Sequence, residues 1–380
     1  MNLLIDHFSG LHDPREKAKV HYPLTNVLVI AVAAAIAGAE SYEDIVLYGK
    51  SKAAWLATFL DLTNGIPSHD TFRRVFGLID EEAFEQCFAA WTASRANAFE
   101  DEIVAIDGKT MRRSFDRSTD QSPLHIVSAW ASDQSLVLAQ EVTQEKSNEI
   151  TAIPAVIETL QLEGALVTID AMGCQTKIAE AILEKKADYL LALKANQKTG
   201  YNAVKEYFDD QRFRRGSLDH ESQTQAKHDA FDESHGRVVR RRVFASTDAA
   251  NLPALSKWPG LRSVVEVETI RSVNGDSEVE ANIRYFLSSR DAGDPLLEDA
   301  ARRHWSIENS LHWMLDVTFN EDQSRIRDKT AASNWAVLRK IALNLLKSDS
   351  EAQTSIRGRR KQAGWDNDYM GQLLHGNLMR

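Results

Sequence analysis

The chain has 380 residues, 43% of them hydrophobic and 26% charged, with a net charge of −10. That length argues for two or three domains rather than one small core. The acidic balance excludes a simple nucleic-acid coat, because net negative charge repels a polyanion. The sign is not uniform, however: residues 301–380 hold 13 Lys or Arg against 9 Asp or Glu, a net of +4, which leaves −14 for the rest. Any polyanion site must therefore be local. Arginines cluster at Arg212, Arg214 and Arg215, at Arg237, Arg240, Arg241 and Arg242, and at Arg357, Arg359 and Arg360; each cluster reads equally well as a solvated face. Cys87 and Cys174 are the only cysteines, so a disulfide framework is not expected and a reduced cytoplasm is the plain reading. The opening "MNLLIDHFSGLHDPREKAK" has acids where a signal peptide needs positive and apolar regions. The longest apolar run, "VLVIAVAAAIAGA" from Val27, is short of the ~20 residues of a membrane span and suits a buried helix.

Residues 1–98 read as an all-helical domain. "SYEDIVLYGKSKAAWLATFLDL" repeats apolar residues at helical spacing, and "GIPSHDTFRRVFGLI" follows with a turn and with Ser68 placed as an N-cap. Helix, tight turn and helix, with Arg73 and Arg74 on the second member, fits a helix-turn-helix that reads DNA as well as it fits a packed bundle. From 99 to 200 the texture changes. "IVAID", "LHIVSAWAS" and "LVLAQEVTQ" read as strands, with a hairpin turn at "SDQS". "NEITAIPAVIETLQL" is helical, "ALVTID" a strand, "QTKIAEAILEKKA" a helix and "DYLLALK" a strand. This β-β-β-α-β-α-β order predicts a meander followed by helical crossovers, hence a mixed α/β sheet with helices on both faces. Residues 201–290 read as an inserted β-rich subdomain, 291–348 as helices that complete the preceding domain, and 349–380 as a basic, partly ordered tail.

Two of these strands, "IVAIDGKTMRRS" and "LVTIDAMGCQ", each end on an aspartate with a glycine close behind, Asp107 and Asp170. A buried carboxylate is costly unless something positive holds it. In the predicted order the first and fourth strands lie side by side, which brings the two acids together, and their repulsion is relieved by a shared proton or a divalent cation. Oxygen ligands suit Mg²⁺ or Mn²⁺. Glu308, in the helical "RRHWSIENSLHWMLD", is the best third acid if its helix packs at the sheet edge.

The blocks "AIDGKTMRRS", "VTIDAMGCQTKIAEAILEKKADYLLALKANQ" and "HWSIENSLHWMLDVTFNED" together resemble the signature blocks of bacterial insertion-sequence DDE transposases, and most closely the H-repeat-associated (ISAs-type) group. "DPREKAKVHYPLTNVLVIAVAAAIAGAESYEDI" and "GIPSHDTFRRVF" resemble that group's helical leading domain, so the likeness spans nearly the whole chain. The resemblance implies a ribonuclease-H-like catalytic domain interrupted by a β-rich insertion. It also implies that Asp107, Asp170 and Glu308 are the catalytic residues and hold two Mg²⁺ ions, with Mn²⁺ able to substitute, for cleavage and strand transfer on DNA. Many related enzymes carry a tyrosine and an arginine before the glutamate and a lysine seven positions after it; this chain has Ala301, His304 and Leu315 there, and His304 and His312 become candidate phosphate contacts.

Lys109, Arg112 and Arg113, just past the first aspartate, either pair with local acids or touch phosphates, and Lys194, Asn196 and Arg237 are further DNA-contact candidates. Asp107 or Asp170 taken alone also fits an Asx-type turn cap. Trp305 and Trp313 read as core rather than as base-stacking platforms, zinc is not expected, and Cys174 reads as inert. Three functions fit: a transposase cutting and joining DNA at its element's ends, a nuclease of the same fold without strand transfer, or a domesticated DNA-binding protein. A homodimer or larger assembly on DNA is expected from the pairing of two ends, with no membrane partner and no organic cofactor.

Overall fold

The computed structural model describes residues 3–115, 122–143, 149–215, 225–234, 237–273 and 281–375, and the chain divides into two compact units. Unit 1 comprises Met1–Asn97, Gly108–Asn148 and Glu308–Arg380; unit 2 comprises Ala98–Asp107 and Glu149–Ile307.

Unit 1 begins with helices α1 (Leu3–Ser9), α2 (Leu24–Ala37), α3 (Tyr42–Ser51), α4 (Ala53–Leu56), α5 (His69–Phe76) and α6 (Glu81–Ala93). Between α6 and the remaining helices come strand β1 (Ile103–Thr110), whose last three residues belong to this unit, and the hairpin of β2 (His125–Ala131) and β3 (Leu136–Thr143). The turn at residues 132–135 is the expected one, and Ser135 adopts positive φ (51°) to close it. α2 is apolar on nearly every side, and Val27 to Ile36 are fully enclosed, which makes it a core helix. No single described helix is long and apolar enough to cross a membrane. Ser68 caps α5 by accepting the Thr71 N–H at 3.3 Å. The connection from α4 to α5 runs over residues 57–68, far longer than the turn of a helix-turn-helix, so that motif is not formed.

Unit 2 carries a mixed sheet. Parallel β4 (Leu166–Ile169) and β5 (Asp188–Leu193) follow the first part of β1, joined through α7 (Glu149–Thr159) and α8 (Thr176–Glu184). After α9 (Lys198–Arg215) come β6 (Gln225–Ser234), β7 (Arg237–Ser246), β8 (Ser263–Val273) and β9 (Asn282–Ser288), then α10 (Ala300–His304). The strand order within the unit is β1-β4-β5-β9-β8-β7-β6. The inserted strands are therefore not a separate β-layer: β9 bonds antiparallel to β5, with Leu193 opposite Tyr285, and extends the same sheet. Alternation alone could not show which free edge they would join.

The chain ends, in unit 1, with a π-helical turn (Glu308–His312), α11 (Trp313–Val317), α12 (Lys329–Lys347), α13 (Ile356–Trp365) and α14 (Asn367–His375). Of the tail expected at 349–380, Ile356–Trp365 and Asn367–His375 are helical, and residues 376–380 lie outside the described residues. Arg360 donates to the Ala35 and Ile36 carbonyls at 3.0 and 3.3 Å, at the C-terminal end of α2, and its guanidinium lies 4.2 Å over the Phe319 ring. Arg359 donates to the Leu346, Asp349 and Ala352 carbonyls. Arg359 and Arg360 thus satisfy helix-end carbonyls, while Arg357 and Lys361 are exposed.

α12 is buried along almost its whole length, and its polar side chains all serve neighbours. Asn334 donates to the Phe76 and Ile79 carbonyls at 2.8 and 3.0 Å. Asn344 accepts the Val137 N–H at 3.0 Å and donates to the Val137 carbonyl at 2.9 Å, so it pairs the outer edge of β3 as another strand would. Asn344→Leu strands both groups in an apolar setting, and we expect it to lower stability by about 2–4 kcal/mol, read as a fall in the midpoint of urea unfolding.

Candidate active site

In unit 2, β1 and β4 pair in parallel with Ile103 opposite Leu166 and Ile106 opposite Ile169. The next residues on the two strands are Asp107 and Asp170. Neighbouring strands lie about 4.8 Å apart and in-register residues share a face, so Asp107, within β1, and Asp170, directly after β4, both follow the last pair on the same face of the sheet. Alternation fixes which face. Ile103 and Leu166 belong to a core cluster with Leu190, Val243, Val265, Leu297 and Ala300, so the face holding Ile103, Asp107, Leu166, Thr168 and Asp170 is the one covered by α10. Thr168 confirms the match, since its hydroxyl lies 3.0 Å from His304 Nδ1. The helix lies on a face of the sheet, against central strand β4, and not at the edge expected from the sequence.

Asp170 is half-buried, and its Oδ1 accepts the N–H groups of Met172 at 2.9 Å and Gly173 at 3.4 Å. This is the Asx-type turn considered from the sequence, and it fixes one oxygen while leaving the other to point elsewhere. A Cβ at Gly173 would collide with Ile169 and with Ile153 of α7, which explains the glycine after this aspartate. The following loop is tied down in turn: Asn196 donates to the Ala171 carbonyl at 2.6 Å and Gln197 to the Cys174 carbonyl at 3.0 Å. Lys194, directly after β5, is exposed. Burial pushes the Cys174 thiol up to about 12, so it stays protonated and inert.

The helical run that starts with α10 carries His304 and, four residues on, Glu308. Within unit 1 Glu308 opens the π-helical turn; its side chain is 47% exposed, and its Oε2 lies 3.4 Å from Nδ1 of the buried His312. Such widened turns recur at functional sites because they re-aim the side chains they carry. Trp305 and Trp313 are 46% and 52% exposed, which corrects the core reading of both; Arg284 lies over the Trp305 ring at 5.3 Å.

Lys109 takes the first of the two readings its position allowed. Its ammonium lies 2.6 Å from Asp316, 2.8 Å from Glu321 and 3.6 Å from Asp322, and only 12% of the side chain is exposed. Arg112 is exposed but reaches Asp322 at 3.3 Å, and Arg113 is exposed. Among the other arginines, Arg212 pairs with the fully buried Glu266 and with Asp209, and Arg242 with buried Glu268 at 2.6 Å, so these serve the sheet. Arg237 opens β7, and its side chain lies outside the described residues.

Glu321 is wholly buried, a setting that by itself raises a carboxyl, yet Lys109, Lys340 and Arg339 together hold it down to about 2. Its folded pKa thus lies below its unfolded value, so its contribution to stability is present above about pH 4.3 and is lost as pH falls toward 2. Lys109→Met removes the nearest cation and leaves a buried carboxylate short of compensation. We expect a loss of about 3–5 kcal/mol at pH 7. The gap from the parent should narrow as pH falls from about 5, because the variant's Glu321 then takes up a proton that the parent's refuses; unfolding curves at both pH values check this.

The chain matches two family models: "DDE_Tnp_1-associated" over residues 5–92 and "Transposase DDE domain" over residues 98–345. It is 35% identical over 380 residues to the H repeat-associated putative transposase YhhI of Escherichia coli K12, covering 98% of each chain. It is 39% identical over 376 residues to the putative transposase YncI of Escherichia coli O157:H7, covering 98% of this chain and 94% of that one, and 36% identical over 377 residues to the putative protein YbfL of strain K12, at 98% of each. The first match falls on the leading helices and the second takes in the sheet with both strand-end aspartates and Glu308. The chain therefore belongs to the DDE transposases, with the ribonuclease-H-like mixed sheet of that domain.

Proposed function

We propose that this transposase cleaves and rejoins DNA at the ends of an insertion sequence, and that Asp107, Asp170 and Glu308 are its catalytic carboxylates. Divalent-metal use comes with the family; we assign Mg²⁺, with Mn²⁺ as a substitute, in two sites held by these three residues. The observation that carries the reading is the pairing of Ile106 with Ile169, after which each parallel strand delivers an aspartate. Two hard carboxylates at that spacing repel unless a cation lies between them, and an all-oxygen set fits Mg²⁺ or Mn²⁺. When bound, the ions supply Lewis-acid stabilisation of the attacking and leaving oxygens of an in-line displacement.

The chain's own groups supply orientation. The Met172 and Gly173 N–H groups hold one Asp170 oxygen and so aim the other. Within unit 2 the Thr168–His304 hydrogen bond holds α10 on β4, and within unit 1 His312 sits beside the Glu308 carboxylate. Exposed Lys194, at the end of the strand next to β4, and exposed Arg113 are suited to steady the DNA backbone, with Asn196 and Arg237 as further contacts. Two copies, each on one element end, make up the working assembly, and the free cysteines suit a reduced cytoplasm.

Duplex DNA carrying the sequences that flank the coding region should be nicked and then joined to a target in Mg²⁺ or Mn²⁺. Asp107→Asn, Asp170→Asn and Glu308→Gln should each lower nicking by at least about a thousand-fold, a barrier increase of about 4 kcal/mol, with the folded state intact by circular dichroism. Nicking at the parent rate by any of the three removes that residue from the assignment.

A further inference from the structure

Unit 1 contains a cleft of about 790 Å³ between the start of α3, the outer face of α5 and the segment that leads into α12. Its arginines are placed by two simple patterns. α5 buries Phe72, Val75 and Phe76, which turns Arg73 and Arg74 to the exposed side. In the segment 324–327, which has no regular secondary structure, Arg325 and Arg327 are exposed on either side of half-buried Ile326. Ile326 packs against a cluster that includes Met111, Leu124 and Ile126, and the two arginines are exposed and line the cleft.

The lining holds five arginines, counting buried Arg339, against the acids Glu40, Glu43 and Asp328. Two of those acids already serve the fold. Glu40 accepts from Asn320 at 2.5 Å, and Asp328 caps α12 by accepting the Ala331 N–H at 2.8 Å. Asp70 takes up Arg73. Arg74 and Arg325 have no ion-pair partner among the described residues, and none of the lining residues belongs to the catalytic carboxylate set.

We propose that this cleft binds the phosphodiester backbone of DNA, without regard to base sequence. Guanidinium forks match phosphate oxygens, and exposed arginines lacking a carboxylate lose little on taking one up. Contacts of this kind fix where a duplex lies and carry no sequence information. The assignment rests on the reading of DNA as substrate given above and adds a docking site to it.

Binding of the full-length protein to a labelled duplex of arbitrary sequence, about 30 base pairs long, is followed by fluorescence anisotropy between about 50 and 200 mM salt. Arg74→Ala with Arg325→Ala should make the dependence of log affinity on log salt shallower by about 2, close to 1 for each lost phosphate contact. Arg74→Lys with Arg325→Lys should keep the parent slope, because lysine still neutralises a phosphate. Should the double alanine variant melt early, Arg74→Gln and Arg325→Gln are read singly, each expected to shift the slope by about 1. An unchanged slope in folded variants overturns the proposal. So does displacement of the DNA by poly-glutamate at equal charge as readily as by unlabelled duplex, which would mark the cleft as a site for acidic polypeptides. Loss of the catalytic assignment is read as nicking by the carboxylate variants and loss of the docking site as an unchanged salt slope in the arginine variants, so the two failures give different results.

Discussion

The arrangement that everything else depends on is a strand register. β1 and β4 pair with Ile106 opposite Ile169, and the next residue along each is an aspartate. A slip of one residue would send one aspartate to the opposite face of the sheet. The register is held by what lies on each side. On one face Ile103 and Leu166 sit in a core with Ala300 of α10; on the other are buried Val104, Ile106, Val167 and Ile169, the last in reach of α7 through the close approach at Gly173. Apolar packing on both faces thus fixes the position of the two charged groups, which by their own repulsion would separate.

A second arrangement, inside unit 1, handles charge in the opposite way. Lys109, Asp316, Glu321, Asp322 and Arg339 form a largely buried network, and nearby Lys340 donates to Gln140 at 2.6 Å, which in turn donates to Glu85 at 2.8 Å. Here each charge finds its counter-charge within the chain. Burial pushes Lys340 down to about 8 and Glu85 up to about 8, so near pH 7 Lys340 keeps most of its charge, which serves Glu321, while Glu85 is mostly protonated. Lys109, on the same strand as Asp107, is taken up by this network through Asp316, Glu321 and Asp322.

Much of this was legible in the sequence because it is local. Strand periodicity and the β-β-β-α-β-α-β order follow from residue spacing, and that order allows the parallel neighbours β1 and β4 that the sheet has. Long-range choices were not legible. Whether Lys109 meets phosphate or carboxylate depends on residues more than 200 positions away, and sequence spacing says nothing of them. The arginines of the tail gave the same signal as a solvated face, although Arg360 caps the end of α2, 324 residues earlier. Trp305 and Trp313 have core composition but lie on exposed sides of their helical turns, and the π-helical turn at Glu308–His312 shifts the helical phase on which such a reading relies. The extension of the sheet by β9 turned on pairing with the open edge of β5, a choice that alternation does not encode.

The central claim is that two aspartates brought together by strand pairing share a divalent ion, and uptake of Mn²⁺ measured by calorimetry tests it without any need for DNA or turnover. The parent protein should bind Mn²⁺, and replacing either Asp107 or Asp170 by asparagine should weaken that binding by about ten-fold or more, about 1.4 kcal/mol, while leaving the unfolding midpoint of the metal-free protein unchanged or raised, since one of two repelling charges is gone. Mn²⁺ uptake that is the same in both variants as in the parent would contradict the account.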